Sequence, residues 1–184
     1  MDAIFERHSV RSFSDRPVSD EDIRRIVSAG CAAPSSKNDQ PWKIIIVRQP
    51  RLSAMAYEFY RIAADLPSDR RSTVAETFSI MGSAPVCIFV FLEKNSRSRR
   101  FLAHVQSVGA FIENMAIEAQ SLGLGSLWCG DILEVDEEAA EILGTSIAPV
   151  AALLIGYEKG ESRRKVHKVP EDLIIEGYDE WGSR

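Results

Sequence analysis

Arg7-His8-Ser9-Val10-Arg11 gathers two guanidiniums, an imidazole and a hydroxyl within five residues. In an extended chain, positions 7, 9 and 11 share a face, so Arg7, Ser9 and Arg11 can converge on one ligand. Paired guanidiniums with a hydroxyl are suited to phosphate, which arginine binds through a two-pronged fork. Taken alone, the segment reads more readily as a solvated basic stretch, because surface arginine is common. A second group is Pro34-Ser35-Ser36-Lys37-Asn38-Asp39-Gln40-Pro41, followed by Trp42. Its hydroxyls and amides can meet the ring carbonyls and N–H groups of a planar heterocycle. As a plain connecting loop it would place Trp42 in the core. A third is Gly123-Leu124-Gly125-Ser126-Leu127-Trp128-Cys129-Gly130, which lacks the last glycine of a dinucleotide fingerprint and follows a helix instead of a strand. Here the choice lies between glycines that admit a flat ligand and a helix cap with a turn, the latter fitting Gly123 best. A fourth, Arg163-Arg164-Lys165-Val166-His167-Lys168, could complete a phosphate site or form a solvated tail.

Other chemistries lack their signatures. The chain has no P-loop, no HExxH, no paired Cys/His spacing for zinc and no G-x-S-x-G elbow. His8, His104 and His167 are isolated from one another, and His104, within a long helix, reads as structural. Cys31, Cys87 and Cys129 form no CxxC pair, and their odd number argues against a disulfide framework. They read as thiols in a reducing, cytoplasmic setting.

The elements that must position these groups follow from periodicity. Asp2–Arg7 reads as a short helix. Ser19 before Asp20-Glu21-Asp22 is a capping signature, with Ile23, Ile26 and Val27 at helical spacing and an expected end at Gly30. Lys43–Arg48 predicts a buried β-branched strand. Helices are expected over Arg51–Ala64 and, after a break at residues 67–71, over Ser72–Met81. A strand is expected over Val86–Leu92. Phe101–Leu122 predicts a long helix buried on more than one side, with Gly109, Ala110 and Ala116 permitting close packing. A short extended piece at Ser126–Cys129, a helix at Asp136–Leu143 ended by Gly144, and an apolar strand at Ala148–Gly156 complete the set. The chain has 184 residues, with 45% apolar and 27% charged, and a net charge of 22 − 27 = −5. This describes one soluble globular domain over residues 1–184, without global attraction to nucleic acid or an anionic membrane. Ile142–Tyr157, one of its two longest uncharged runs, is interrupted by Gly144, Pro149 and Gly156. It is too short for a bilayer, which takes about 20 apolar residues.

In order and spacing the segments resemble the nitroreductase family of flavoproteins. The resemblance is carried by Arg7–Phe13 with Arg16-Pro17-Val18, by Ala33–Trp42, by Glu113-Asn114-Met115 through Trp128, and by Val150–Gly156 with Lys168-Val169-Pro170. Residues 50–85 match none of its motifs. The resemblance implies an α+β three-layer sandwich, with a mixed, mainly antiparallel sheet between helices, in an intertwined homodimer holding FMN at its interface. It implies flavin contacts from Arg7, His8, Ser9 and Arg11. Arg7 and Ser9 would serve the phosphate and ribityl end, and Arg11 the N1–C2 carbonyl edge. It implies that Pro34, Ser35, Ser36, Asn38 and Gln40 serve the partner's flavin, and that Trp128, Cys129 and Gly130 lie against the ring near N5. Lys168 falls on a phosphate position, with Arg163, Arg164 and Lys165 as competitors. The tail residues Leu173, Ile174, Ile175, Tyr178 and Trp181 would bury against the partner. The implied activity is ping-pong transfer from NADH or NADPH through FMN to a nitroaromatic, quinone or similar small acceptor. The cofactor carries that chemistry, so no catalytic side chain is expected. The competing readings are a flavin-binding sensor or carrier without turnover, and a specialised dehalogenating or flavin-modifying enzyme.

Overall fold

The computed structural model describes residues 3–93 and 100–160. Lys165 and Lys168, their competitors Arg163 and Arg164, and the apolar tail from Leu173 lie outside the described residues. In chain order the elements are α1 (Ala3–Glu6), α2 (Asp20–Cys31), β1 (Trp42–Arg48), α3 (Arg51–Ala63), α4 (Ser68–Ser83), β2 (Val86–Leu92), α5 (Phe101–Ser121), β3 (Gly125–Cys129), α6 (Asp136–Leu143) and β4 (Pro149–Gly156). Short 3₁₀ turns occupy Ser36–Asn38 and Asp131–Val135.

The sheet has the order β1-β2-β4-β3, and each of its pairs is antiparallel. All seven residues of β2 are buried. A strand buried on both faces needs a layer above and a layer below, and period-two alternation assigns the residues to each. Cys87, Phe89, Phe91, Ala152 and Leu154 share one core with Leu52 and Phe59 of α3 and Phe78 and Met81 of α4. Val86, Ile88, Val90, Leu153 and Ile155 share the other with Ile26 of α2 and Phe111, Ile112 and Met115 of α5. The three-layer sandwich is therefore present. Its described strands are wholly antiparallel, and the parallel pairing is an isolated bridge between Ser9 and Ser126.

Several sequence expectations need adjusting. β1 is an edge strand with Ile46 40% exposed, not a buried one, because only one flank is paired. The break after α3 ends at Pro67 and not at Arg71: the Pro67 carbonyl accepts from the Arg70 and Arg71 amides at 3.0 Å, so α4 starts at Ser68. A proline at a helix start loses no hydrogen bond that the helix could have made. Ser19 does cap α2, its hydroxyl accepting from the Asp22 amide at 3.0 Å. Gly30 lies one residue inside the end of α2 at Cys31. It is buried where α2 crosses α5, and a Cβ there would lie 2.8 Å from Met115 Cγ and Phe111 Cε2. The crossing is closed by Asn114 Nδ2 donating to the Ala29 carbonyl at 3.1 Å. α5 buries one face in this chain, while Leu102 (68% exposed) and Val105 (41%) stand free of it.

Gly30→Leu should force α2 and α5 apart and cost about 1–3 kcal/mol, the usual penalty for overpacking a dense contact. Urea denaturation should show a lower midpoint with an unchanged slope.

Candidate functional site

The arm that carries Arg7, His8, Ser9 and Arg11 is seated by two glycines. The Val10 amide donates to the Ser126 carbonyl at 2.9 Å, laying the arm beside β3. A Cβ on Gly125 would lie 2.5 Å from Val10 Cγ2, and one on Gly156 would lie 2.9 Å from Phe13 Cδ1. Gly125 and Gly156 are partners in the β3–β4 register. Gly125 thus admits the arm's own side chain, not a flat ligand; Gly123, at φ 75°, caps the end of α5. Val10 and Phe13 are buried. The arm continues along β4, with the Ser14 amide on the Tyr157 carbonyl at 2.8 Å and the Lys159 amide on the Ser12 carbonyl at 2.9 Å. His8 faces the Glu6 carbonyl through Nδ1 at 3.0 Å and the Glu158 carboxylate through Nε2 at 3.3 Å. Arg7 Nε pairs with Glu113 of α5 at 3.0 Å.

Arg11 opens into a cleft of about 240 Å³, lined also by Thr73, Glu76, Thr77 and Ile80 of α4 and by Leu127 to Asp131. Alternation along β3 buries Leu127 and Cys129 and turns Trp128 outward, 44% exposed. The Thr77 hydroxyl donates to the Asp131 carboxylate. Burial pushes the Cys129 thiol up to about 12; the Asp131 carboxylate adds to the rise and the Arg11 guanidinium opposes it. Burial likewise raises Cys87 well above an ordinary thiol. At neutral pH both are therefore thiols, not thiolates.

The Pro34–Pro41 loop lies on a second, shallower cleft formed by Pro34, Ser35 and Ser36 with Ala103, Gln106, Ser107 and Ala110 of α5. Lys37, Asn38 and Gln40 have φ of 56°, 58° and 44°, a left-handed backbone that non-glycine residues adopt at a cost. Side chains hold that conformation. Ser35 Oγ accepts from the Gln40 amide at 3.0 Å, and Gln40 Nε2 donates to Asn38 Oδ1 at 3.2 Å. α5 adds two anchors. Ser107 Oγ accepts from the Ser36 amide at 3.2 Å, and His104 Nε2 lies 3.1 Å from Asp39 Oδ2. His104 is thus structural, as the sequence suggests, and it fixes the loop.

One chain does not bring the whole candidate set together. Arg11, Trp128, Cys129 and Gly130 line one cleft, and Pro34, Ser35 and Ser36 line the other. α5 joins the two. Ala110 borders the loop cleft, and a Cβ on the adjacent Gly109 would lie 3.9 Å from Trp128. Sequence reasoning missed Thr73, Glu76, Thr77 and Asp131. They belong to no motif, and only the packing of α4 on the turn after β3 brings them to Arg11.

The model described as Nitroreductase family matches residues 4–157. An Archaeoglobus fulgidus protein named "Putative NADH dehydrogenase/NAD(P)H nitroreductase" is 32% identical over 162 residues, 86% of this chain and 84% of that one. The 5,6-dimethylbenzimidazole synthase of Rhodospirillum rubrum is 27% identical over 185 residues, 93% of this chain and 85% of that one. A crystal structure of "a putative nitroreductase in complex with fmn" from Desulfovibrio desulfuricans has a TM-score of 0.75 and 29% identity, covering 95% of this chain and 94% of that one.

Thiol titration reads the burial directly. The folded protein should react with a disulfide reagent at Cys31 alone at neutral pH, since Cys31 is exposed and Cys87 and Cys129 are buried. Denaturant should release all three thiols. A second fast thiol in the folded state would contradict the burial of Cys129.

Proposed function

The chain belongs to the nitroreductase family, and on that premise we propose that it is an FMN-dependent oxidoreductase passing electrons from NADH or NADPH to a small oxidised acceptor such as a nitroaromatic or quinone. The observation that carries this reading is the Arg11 cleft. It combines a guanidinium, an outward tryptophan and an exposed backbone turn, and it lacks an activated nucleophile because Cys129 is held as a thiol.

The residues fit the cofactor. A Cβ on Gly130 would meet nothing within 4 Å, so the cleft is open at the turn where a ring would lie against backbone. Arg7 and Ser9 would hold the phosphate and ribityl end. Arg7 pairs with Glu113 through Nε, and its remaining donors would serve the phosphate. Arg11 would face the pyrimidine edge and stabilise the negative charge that reduction places there. Trp128, Cys129 and Gly130 would border the ring. Bound FMN supplies the two-electron chemistry, and the protein binds, orients and tunes it.

The separation of the two clefts supports a homodimer. In this reading the strained loop of one copy, with Pro34, Ser35, Ser36, Asn38 and Gln40, completes the cleft of the other. The free apolar face of α5 around Leu102 and Val105 would bury at that contact. Lys165 or Lys168 would close the phosphate end. The chain acts as a single domain over residues 1–184, in the cytoplasm, by a ping-pong cycle in which the nicotinamide donor leaves before the acceptor binds. Among the described residues no helix is long and apolar enough to cross a membrane. A second reading, consumption of the flavin itself, is favoured by the likeness to the Rhodospirillum rubrum synthase. It predicts loss of FMN during aerobic incubation with donor, whereas the first reading predicts that FMN persists.

The purified protein should carry a flavin absorbance spectrum that bleaches anaerobically with NADH or NADPH. A bound flavin that neither donor reduces would leave a binder without turnover. Arg11→Ala should lower the flavin midpoint potential by on the order of 30 mV, equivalent to about 1.4 kcal/mol for a two-electron couple. An unchanged potential would remove Arg11 from the pyrimidine edge.

A further inference from the structure

We propose that Glu76 of α4, together with Asp131 after β3, sets the charge preference of the acceptor, so that neutral and cationic acceptors are favoured over anionic ones. The inference rests on the reading of the Arg11 cleft as the flavin site and adds a determinant that no family motif contains, since residues 50–85 match none.

Three charged side chains line the cleft: Arg11, Glu76 and Asp131. Their charges sum to −1. Cys129 adds none, because burial keeps it protonated. The guanidinium does not neutralise the acids. Arg11 directs Nη1 to the Ser9 carbonyl at 3.5 Å and pairs with neither carboxylate. Asp131 is held in place by the Thr77 hydroxyl across the wall. Glu76 is exposed and forms no ion pair with any described residue, so its charge is left facing the cleft. A flavin in the cleft would engage Arg11 through its own developing negative charge. An entering acceptor then meets the two carboxylates without their counter-charge. At separations of about 7 Å and an effective dielectric near 20, one such carboxylate repels a unit negative charge strongly enough to matter, even after solvent screening. The expected discrimination is roughly tenfold per carboxylate at low salt. It should shrink as ionic strength rises.

The test uses two acceptors of nearly equal shape, 4-nitrobenzamide and 4-nitrobenzoate, with the holoprotein. The wild type should show the higher kcat/KM for the amide. Glu76→Gln should raise the benzoate-to-benzamide ratio of kcat/KM threefold or more, and Glu76→Lys should raise it further. Taking the ratio cancels any general loss of activity. The second readout needs no turnover. Equilibrium dialysis of benzoate and benzamide against the oxidised protein should show the same graded shift in the ratio of Kd values. Ratios that stay constant across the three proteins overturn the assignment. If the purified protein holds no flavin, or reduces neither nitro compound, the flavoenzyme reading falls. The dialysis ratio still decides the charge assignment, a graded shift supporting it and a constant ratio refuting it.

Discussion

The fold is built around a pair of strands with no solvent face. β2 and β4 pair from Val86–Ile155 to Phe91–Pro149, and nearly every side chain along them is buried. Such a ribbon is stable only when covered on both sides, since leaving one face wet would forgo the burial of several large aliphatic and aromatic groups at about 1.5–3 kcal/mol each. The α3–α4 hairpin and the segment after β3 cover one side, and α2 and α5 cover the other. β1 and β3 then fall at the edges, and the end of β3 delivers Trp128, Cys129 and Gly130 to the rim of the layer formed by α4. The cleft is therefore a by-product of layering: it sits where the sheet edge, the arm and α4 meet.

α5 serves as the second organiser. Its apolar side packs on the sheet, and its polar residues fix three other segments: the loop, the arm and α2. Ser107 and His104 hold the Ser36 and Asp39 ends of the loop. Glu113 meets Arg7. Asn114 ties down the end of α2, and Glu118 pairs with Arg25 at 2.6 Å. Only the His104 bond is made by a nearly fully buried ring, and its Nδ1 has no hydrogen-bond partner among the described residues. An unpartnered buried nitrogen is costly. The left-handed backbone at Lys37, Asn38 and Gln40 adds a cost of its own, and the Asp39 contact works against both.

Sequence made most of the framework legible because strong local signals coincided with the tertiary demands. The apolar run Val86–Leu92 could be nothing but a buried strand, and Ser19 and Gly144 marked helix ends that the structure shares. Local signals failed where long-range contact decided the outcome. Gly30 looks like a terminator in sequence, but the approach of Phe111 and Met115 sets its role. Ile44–Ile46 has the composition of a central strand, but strand order places it at an edge. The candidate site divides in the same way. Arg11, Trp128, Cys129 and Gly130 follow from motif order and do line one cleft. Thr73, Glu76 and Thr77 lie on a helix with no motif, and nothing in their spacing announces that α4 will face Arg11.

The glycine socket bears on how the chain is assembled. Val10 and Phe13 lodge against Gly125 and Gly156, which face each other at one end of the β3–β4 ladder. On the ribosome the arm is made before either glycine, and Gly156 emerges near the end of the described chain. At about 5–20 residues per second, the arm waits roughly seven to thirty seconds for a seat. The basic segment between Arg7 and Arg11 thus docks late, only after β4 has been made and paired with β3.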